Sequence, residues 1–179
     1  MDYFESILKT LLETEGYWVK QSFKVNVTKH EKRDIGKPSI PRPEIDLIAY
    51  SPKENRVIVM EVKSYIDSSG VRLDDLTVET EIPEGRYKLF TCSNYRKIVF
   101  NRLKLDLVQL GLCNEDTTFV LALAAGNVYR SQSTEIKQLF DHKSWVFWSP
   151  ELIKDKVIKL SSSGYENDPV IITTKILMR

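Results

Sequence analysis

Apolar residues at Phe4, Ile7, Leu8, Leu11 and Leu12 recur at spacings of three and four, which predicts an amphipathic helix over residues 2–15. Gly16 follows as its stop signal. Between residues 17 and 27 the period changes to two. Phe23, Val25 and Val27 alternate with Lys24 and Asn26, the pattern of a half-buried strand. Residues 28–43 break both periods. They are lysine-rich and carry Gly36, Pro38, Pro41 and Pro43, so they are expected to form a mobile or ligand-ordered polar loop with no part in the core. Two nearly unbroken apolar runs, 44–50 and 56–62, then flank a polar turn at 51–55 and predict a hairpin. Continuous hydrophobicity of this kind is expected where helices cover both faces of a sheet.

Residues 67–85 are acidic and irregular, with a short helix expected near Leu73. Residues 94–110 predict a longer helix. Ile98, Val99, Leu103, Leu105, Leu107 and Leu110 are its inward candidates, Arg96, Lys97, Arg102 and Lys104 are available to the other side, and Gly111 ends it. Further on, 117–124 reads as a buried strand, 133–142 as a helix and 144–148 as a short strand. A helix over 150–160 would start at Pro150, with Ser149 as its cap and Glu151 near the positive end of its dipole. The β-branched run within 168–177 is a candidate for a closing strand. The alternation of helices and strands predicts an α/β fold in which helices flank a mixed central sheet. No repeat or linker divides the chain, so residues 1–179 are expected to form one domain.

With 179 residues, 42% of them hydrophobic, the chain can bury a core without a disulfide or structural metal. Cys92 and Cys113 stand alone, without CxxC spacing or histidine companions, which argues against a zinc site and suits a reducing, cytoplasmic setting. No apolar run approaches the ~18 residues of a membrane span, so a soluble protein without a membrane partner is expected. The net charge of +1 conceals a segregation. Seven Lys or Arg face two acids within residues 20–43, and six face none within 86–104, so the rest of the chain is acidic. Two basic surfaces on an acidic body suit a polyanion such as nucleic acid.

Three ionisable residues interrupt the apolar hairpin: Asp46 on its first strand, and Glu61 and Lys63 at the end of its second. Charges on covered strands are costly unless they are paired, bound to a metal or exposed at a site. Glu61 and Lys63, two apart, share one face, and antiparallel pairing can bring Asp46 alongside them. Two carboxylates drawn together need a cation, and hard oxygen donors suit magnesium or manganese. A mutually satisfied salt-bridge cluster is the competing reading.

Asp46, fourteen intervening residues and Glu61-Val62-Lys63 resemble the PD-(D/E)xK nuclease motif, with Glu44-Ile45-Asp46 where that superfamily usually has Pro-Asp and with the nearest proline displaced to Pro43. Tyr3-Phe4-Glu5 through Leu12 to Gly16-Tyr17-Trp18-Val19 is similar to the first helix and strand of Mrr-type endonucleases and archaeal Holliday junction resolvases. The likeness spans residues 2–124. It implies a restriction-endonuclease-like fold, with 1–148 as a nuclease-like core and 149–179 as a C-terminal extension. It also implies a metal-dependent endonuclease, a hydrolase of phosphodiester bonds with DNA first among its substrates. Asp46, Glu61 and the Val62 carbonyl would bind the metal, Lys63 would serve the attacking water and the transition state, and Glu5 would orient an outer ligand. Because some members keep the fold without cleaving, a catalytically inactive module that binds nucleic acid or a partner protein is the alternative. Nucleases of this kind often pair active sites, which leaves a homodimer open, although no segment marks a dimer face.

The strands would be held by Lys29, Lys32, Arg33, Lys37 and Arg42 in the basic loop and by Arg96, Lys97 and Arg102 on the long helix. Tyr95, at the start of that helix, is a candidate for a phosphate or base contact. Trp145, Phe147 and Trp148 are assigned to the core rather than to base stacking; Glu13 and Glu15 to solvent; and His30 to no specific role.

Overall fold

A computed structural model describes residues 3–164 and 166–179. Helix α1 (Tyr3–Thr14) leads into β1 (Trp18–Lys24), α2 (Lys29–Asp34), β2 (Glu44–Ser51) and β3 (Arg56–Lys63). The start expected for α1 at Asp2 lies outside the described residues. Two short helices, α3 (Leu73–Thr77) and α4 (Lys88–Thr91), precede α5 (Ser93–Gln109) and β4 (Thr118–Ala125). A 3-10 turn (Tyr129–Ser131), α6 (Ser133–His142), β5 (Val146–Trp148), α7 (Pro150–Leu160) and α8 (Pro169–Leu177) complete the chain.

The five strands lie in the order β1-β2-β3-β4-β5. β1, β2 and β3 run antiparallel, whereas β3, β4 and β5 run parallel, so the sheet is mixed as expected. Strand alternation sends Val57, Val59, Leu121 and Leu123 to one face, where they pack with Val99, Leu103 and Leu107 of α5 and Ile136 and Phe140 of α6. Ile58, Met60, Ala122 and Ala124 point the other way, onto Leu8, Leu11 and Leu12 of α1, Ile153 of α7 and Ile171 of α8. Helices therefore cover both faces, which explains the unbroken apolar runs of β2 and β3. Phe147 and Trp148 are buried within these layers, and Trp145 packs against them. Among the described residues no helix is long and apolar enough to cross a membrane.

Three expectations are corrected. Residues 28–43 are not a coreless mobile loop: Thr28 Oγ1 accepts the Glu31 N–H at 3.2 Å while Glu31 Oε2 accepts the Thr28 N–H at 2.7 Å, a capping box that nucleates α2. The same stretch buries Ile35 and Ile40 in the α5-side core. The tail forms helix α8 rather than a strand. Asp168 caps it by accepting the N–H groups of Val170 and Ile171, and Pro169 supplies a helical φ at the first position, local signals that outweigh the strand preference of the β-branched run. Finally, α5 faces inward with Tyr95, Val99, Leu103 and Leu107, whereas Leu105 is 57% and Leu110 60% exposed. Its apolar residues are spread around the helix, so packing rather than periodicity chose the buried stripe.

Candidate functional site

Glu61 and Lys63 extend the face that begins with Val57 and Val59, opposite Leu123 and Ala125 of β4. At this end of β3 the neighbours are no longer purely aliphatic. Asp46 reaches across from β2, and its Oδ2 accepts the Val62 N–H at 2.7 Å, which fixes the carboxylate against the strand. Lys63 Nζ lies 3.3 Å from Glu61 Oε2, 3.1 Å from the Val62 carbonyl oxygen and 3.8 Å from Asp46 Oδ2. One ammonium is thus surrounded by three oxygens drawn from β2 and β3. The side chains of Glu61 and Lys63 are each 14% exposed, so the charges interact with little screening by water.

Burial pushes the Glu61 carboxyl up to about 7, and the Asp46 charge adds to the rise, while Lys63 opposes it and Lys88 opposes it further. Tyr95, buried in the core, is near enough to feel the Glu61 charge. Burial, and then the Glu61 charge, hold its phenol well above the usual range. Lys88, the first residue of α4, is a second cation acting on Glu61, and its Nζ stands 5.6 Å from the centre of the Tyr95 ring.

The donor set fits a hard divalent ion: two carboxylates and a carbonyl, all within 4 Å of a point where a positive charge already sits. Among the described residues no group of three or more His, Cys, Asp or Glu side chains is placed to hold a metal. The protein would therefore supply few ligands, as magnesium tolerates because it keeps several of its waters.

Glu5 sits partly buried in the first turn of α1, in the layer on the opposite face of the sheet from Glu61 and Lys63. Its neighbour Phe4 approaches Gly126, just past β4, so the N-terminus of α1 and the trio lie at the same end of the sheet.

The expected nucleic-acid contacts divide. Tyr95 is corrected: only 1% exposed, its ring belongs to the core and cannot meet a base or phosphate. Arg96 donates to the carbonyls of Leu89 and Phe90 at 2.8 and 3.2 Å and stacks 5.0 Å over Trp145, which commits it to joining α4 and α5 to the residue before β5. Arg102 forks onto Glu31, with Nε at 3.0 and 3.1 Å and Nη2 at 2.8 Å, and so ties α5 to α2. Lys37 donates to the Pro83 carbonyl at 2.7 Å, and Arg42 to the Lys24 carbonyl at 3.0 Å. Lys29, Arg33 and Lys97 are exposed and Lys32 is half-buried, which leaves them as the outward cations of the two basic segments. His30 pairs with Asp34 at 2.8 Å, and Glu13 lies 3.7 Å from Lys9. Glu15 is in contact with Lys156 rather than left to solvent.

Tyr65 and Tyr87 carry no sequence signal as site residues, and Arg86 and Lys88 enter only as part of the basic segment 86–104, yet all four gather around the end of β3. The dense run Arg86-Tyr87-Lys88 was the available signal, but nothing local connects it to a strand more than twenty residues earlier. Comparison with protein-family models, with curated proteins and with solved structures returned no match to this chain.

Proposed function

We propose that the protein is a divalent-metal-dependent phosphodiesterase that cleaves a nucleic-acid backbone, DNA first, on a restriction-endonuclease-like fold. The observation that carries this reading is the convergence of Asp46, Glu61 and the Val62 carbonyl on one cationic point, the Lys63 ammonium. These three would hold magnesium or manganese, which when bound supplies a polarised water and neutralises charge on the scissile phosphate. Asp46 is pre-positioned by the Val62 N–H, so it costs little to order when the ion arrives. Lys63 places a positive charge where negative charge accumulates on the pentacovalent phosphorus. Glu5, at the same end of the sheet, would orient an outer ligand. The exposed Lys29, Arg33 and Lys97 would contact the backbone on either side.

Magnesium and manganese titrations against a panel of end-labelled DNA and RNA forms test the reading. Metal-dependent cleavage that Asp46→Ala abolishes while leaving DNA binding intact is the expected result. One observation favours a second reading, a non-cleaving module: Lys63 already neutralises the two carboxylates, as it would in a purely structural cluster. Tight binding with no cleavage in either metal would establish that module and remove the enzyme.

A further inference from the structure

A cleft of about 680 Å³ opens against the loop that follows Lys63, with Tyr65 in its lining. Its size lies within the range of small-ligand sites. Tyr65, two residues past Lys63, forms part of one wall, and Tyr87, the residue before Lys88, forms part of another. The two tyrosines thus neighbour in sequence the two lysines that act on Glu61.

The first wall is built rigidly. Gly126 donates to the Lys63 carbonyl at 2.8 Å, Asn127 Nδ2 to the Ser68 carbonyl at 2.7 Å, and Val71 to the Asn127 carbonyl at 3.0 Å. Gly70 is required there, because a Cβ would lie 2.8 Å from the backbone of Asn127 and Val128. Within this pinned loop Tyr65 adopts φ +41°, a left-handed conformation that a bulky residue enters only under constraint. Arg86 Nη1 donates to its hydroxyl at 3.2 Å.

The second wall carries unmet polar groups. Tyr87 is 8% exposed, and its hydroxyl, though close enough to Tyr65 to affect that group, completes no hydrogen bond. Thr80 Oγ1 on the same wall is likewise buried without a partner. Unpaired hydroxyls sealed behind the wall of a cleft are costly, and a ligand that shifts the wall enough to bond them recovers that cost. The mouth is balanced in charge, Arg72 and Arg86 against Asp75 and Glu84, so it offers both donors and acceptors rather than a field for a bare phosphate. A nucleobase edge, which presents donors and acceptors side by side and has a flat face for tyrosine, matches that lining.

We propose that this cleft receives an unpaired nucleobase from the strand whose phosphate lies at Asp46, Glu61 and Lys63. This rests on the phosphodiesterase reading and names its substrate class: DNA with a bulged, splayed or single-stranded nucleotide beside the cut. Base-paired DNA has no face free to enter the cleft, so entry requires a nucleotide outside the stack.

The test uses the full chain without divalent metal and two short DNA duplexes that differ only in one unpaired fluorescent adenine analogue. The bulged duplex is expected to bind about tenfold more tightly, with quenching of the analogue as it stacks. Tyr87→Phe should lower that preference several-fold while leaving thermal stability unchanged or higher, because it deletes an unsatisfied buried hydroxyl. A purely structural tyrosine would leave the preference untouched. Ser69→Trp, which fills the cleft from an exposed position, should abolish the preference and spare binding of paired duplex. Equal affinity for both duplexes, or a preference that survives Ser69→Trp, overturns the proposal. A magnesium-dependent cleavage assay on the same duplexes separates the two ideas: cleavage without preference refutes the base site alone, and preference without cleavage refutes the phosphodiesterase alone.

Discussion

Replacing Lys63 by methionine removes the cation between Asp46 and Glu61 while keeping an unbranched side chain of similar length. Its effect should depend on pH. In the wild-type protein the Glu61 carboxyl titrates at about 7, above its ordinary value of 4.5. A raised folded-state pKa means that the folded protein holds a proton the unfolded chain has released. Stability is therefore fullest below about pH 4.5, declines as pH rises towards 7 and levels off above it. The span of 2.5 pH units corresponds to about 3 kcal/mol. Lys63 pulls this pKa down, so the methionine variant should titrate higher, and its decline should continue where the wild type has levelled.

At about pH 6 the carboxyl is mostly neutral in both proteins, and the part of the difference due to Glu61 should be small. Between about pH 7 and pH 9 each unit should weaken folding of the variant by up to tenfold more than the wild type, opening a gap of about 1–3 kcal/mol. Denaturant midpoints followed by circular dichroism at constant ionic strength across this range read the gap directly. If the trio holds magnesium as proposed, the ion should narrow it at alkaline pH by taking over neutralisation of the same oxygens. Two pH curves displaced by a constant amount would show that Lys63 does not govern Glu61 ionisation. The spatial convergence at the end of β3 would then be wrong.

Four further outcomes follow from particular contacts. Gly126→Ala should destabilise by more than about 2 kcal/mol and lower any cleavage, because its Cβ would sit on the Ser64 carbonyl and displace the strand end that carries Lys63; thermal melting and a cleavage assay check both parts. Burial alone would raise the Glu31 pKa, but the Arg102 pair and the Thr28 hydrogen bonds hold it below the usual value, so its contribution is present above the ordinary carboxylate range and lost as pH falls through it. Glu31→Gln should therefore flatten the acid limb of the stability profile and cost about 1 kcal/mol at neutral pH, read by denaturation across pH 3–7. Asp106→Ala leaves the Asn26 N–H without its 2.7 Å acceptor and should cost about 1–3 kcal/mol in a denaturant titration. Asp168→Ala removes the cap of α8 and should cost about 1 kcal/mol in the same measurement.

Much of the fold was legible because most elements satisfy local and global preferences together. The runs in β2 and β3 are apolar on both faces, and the structure covers both; Ser149 and Pro150 start α7 where capping chemistry places them. The misreadings arose where two local signals competed. In the tail a β-branched run outweighed Asp168-Pro169, although a cap and a fixed φ act at the one step that costs most, helix nucleation. In the basic loop, lysines and prolines masked Thr28-x-x-Glu31, a four-residue cap that needs no hydrophobic period.

The site was legible to a different depth. Strand parity alone puts Glu61 beside Lys63, and hairpin pairing brings Asp46 to them, because a period of two leaves no other face. What parity cannot reach is anything brought by a crossover connection, and Lys88, Tyr65 and Tyr87 arrive on the long excursion from β3 to β4. The charge pattern misled for a related reason. Arg96 and Arg102 look like free cations in sequence, yet each is consumed in joining elements, one to carbonyls of α4 and the other to Glu31 of α2. A helix carrying many cations can therefore serve cohesion before recognition, and of the cations in the two basic segments Lys29, Arg33 and Lys97 are among those that remain exposed. If those three carry the backbone contacts, neutralising them together should lower DNA affinity uniformly across sequences and reduce its salt dependence, whereas the buried Glu61–Lys63 pair should set chemistry with little effect on affinity.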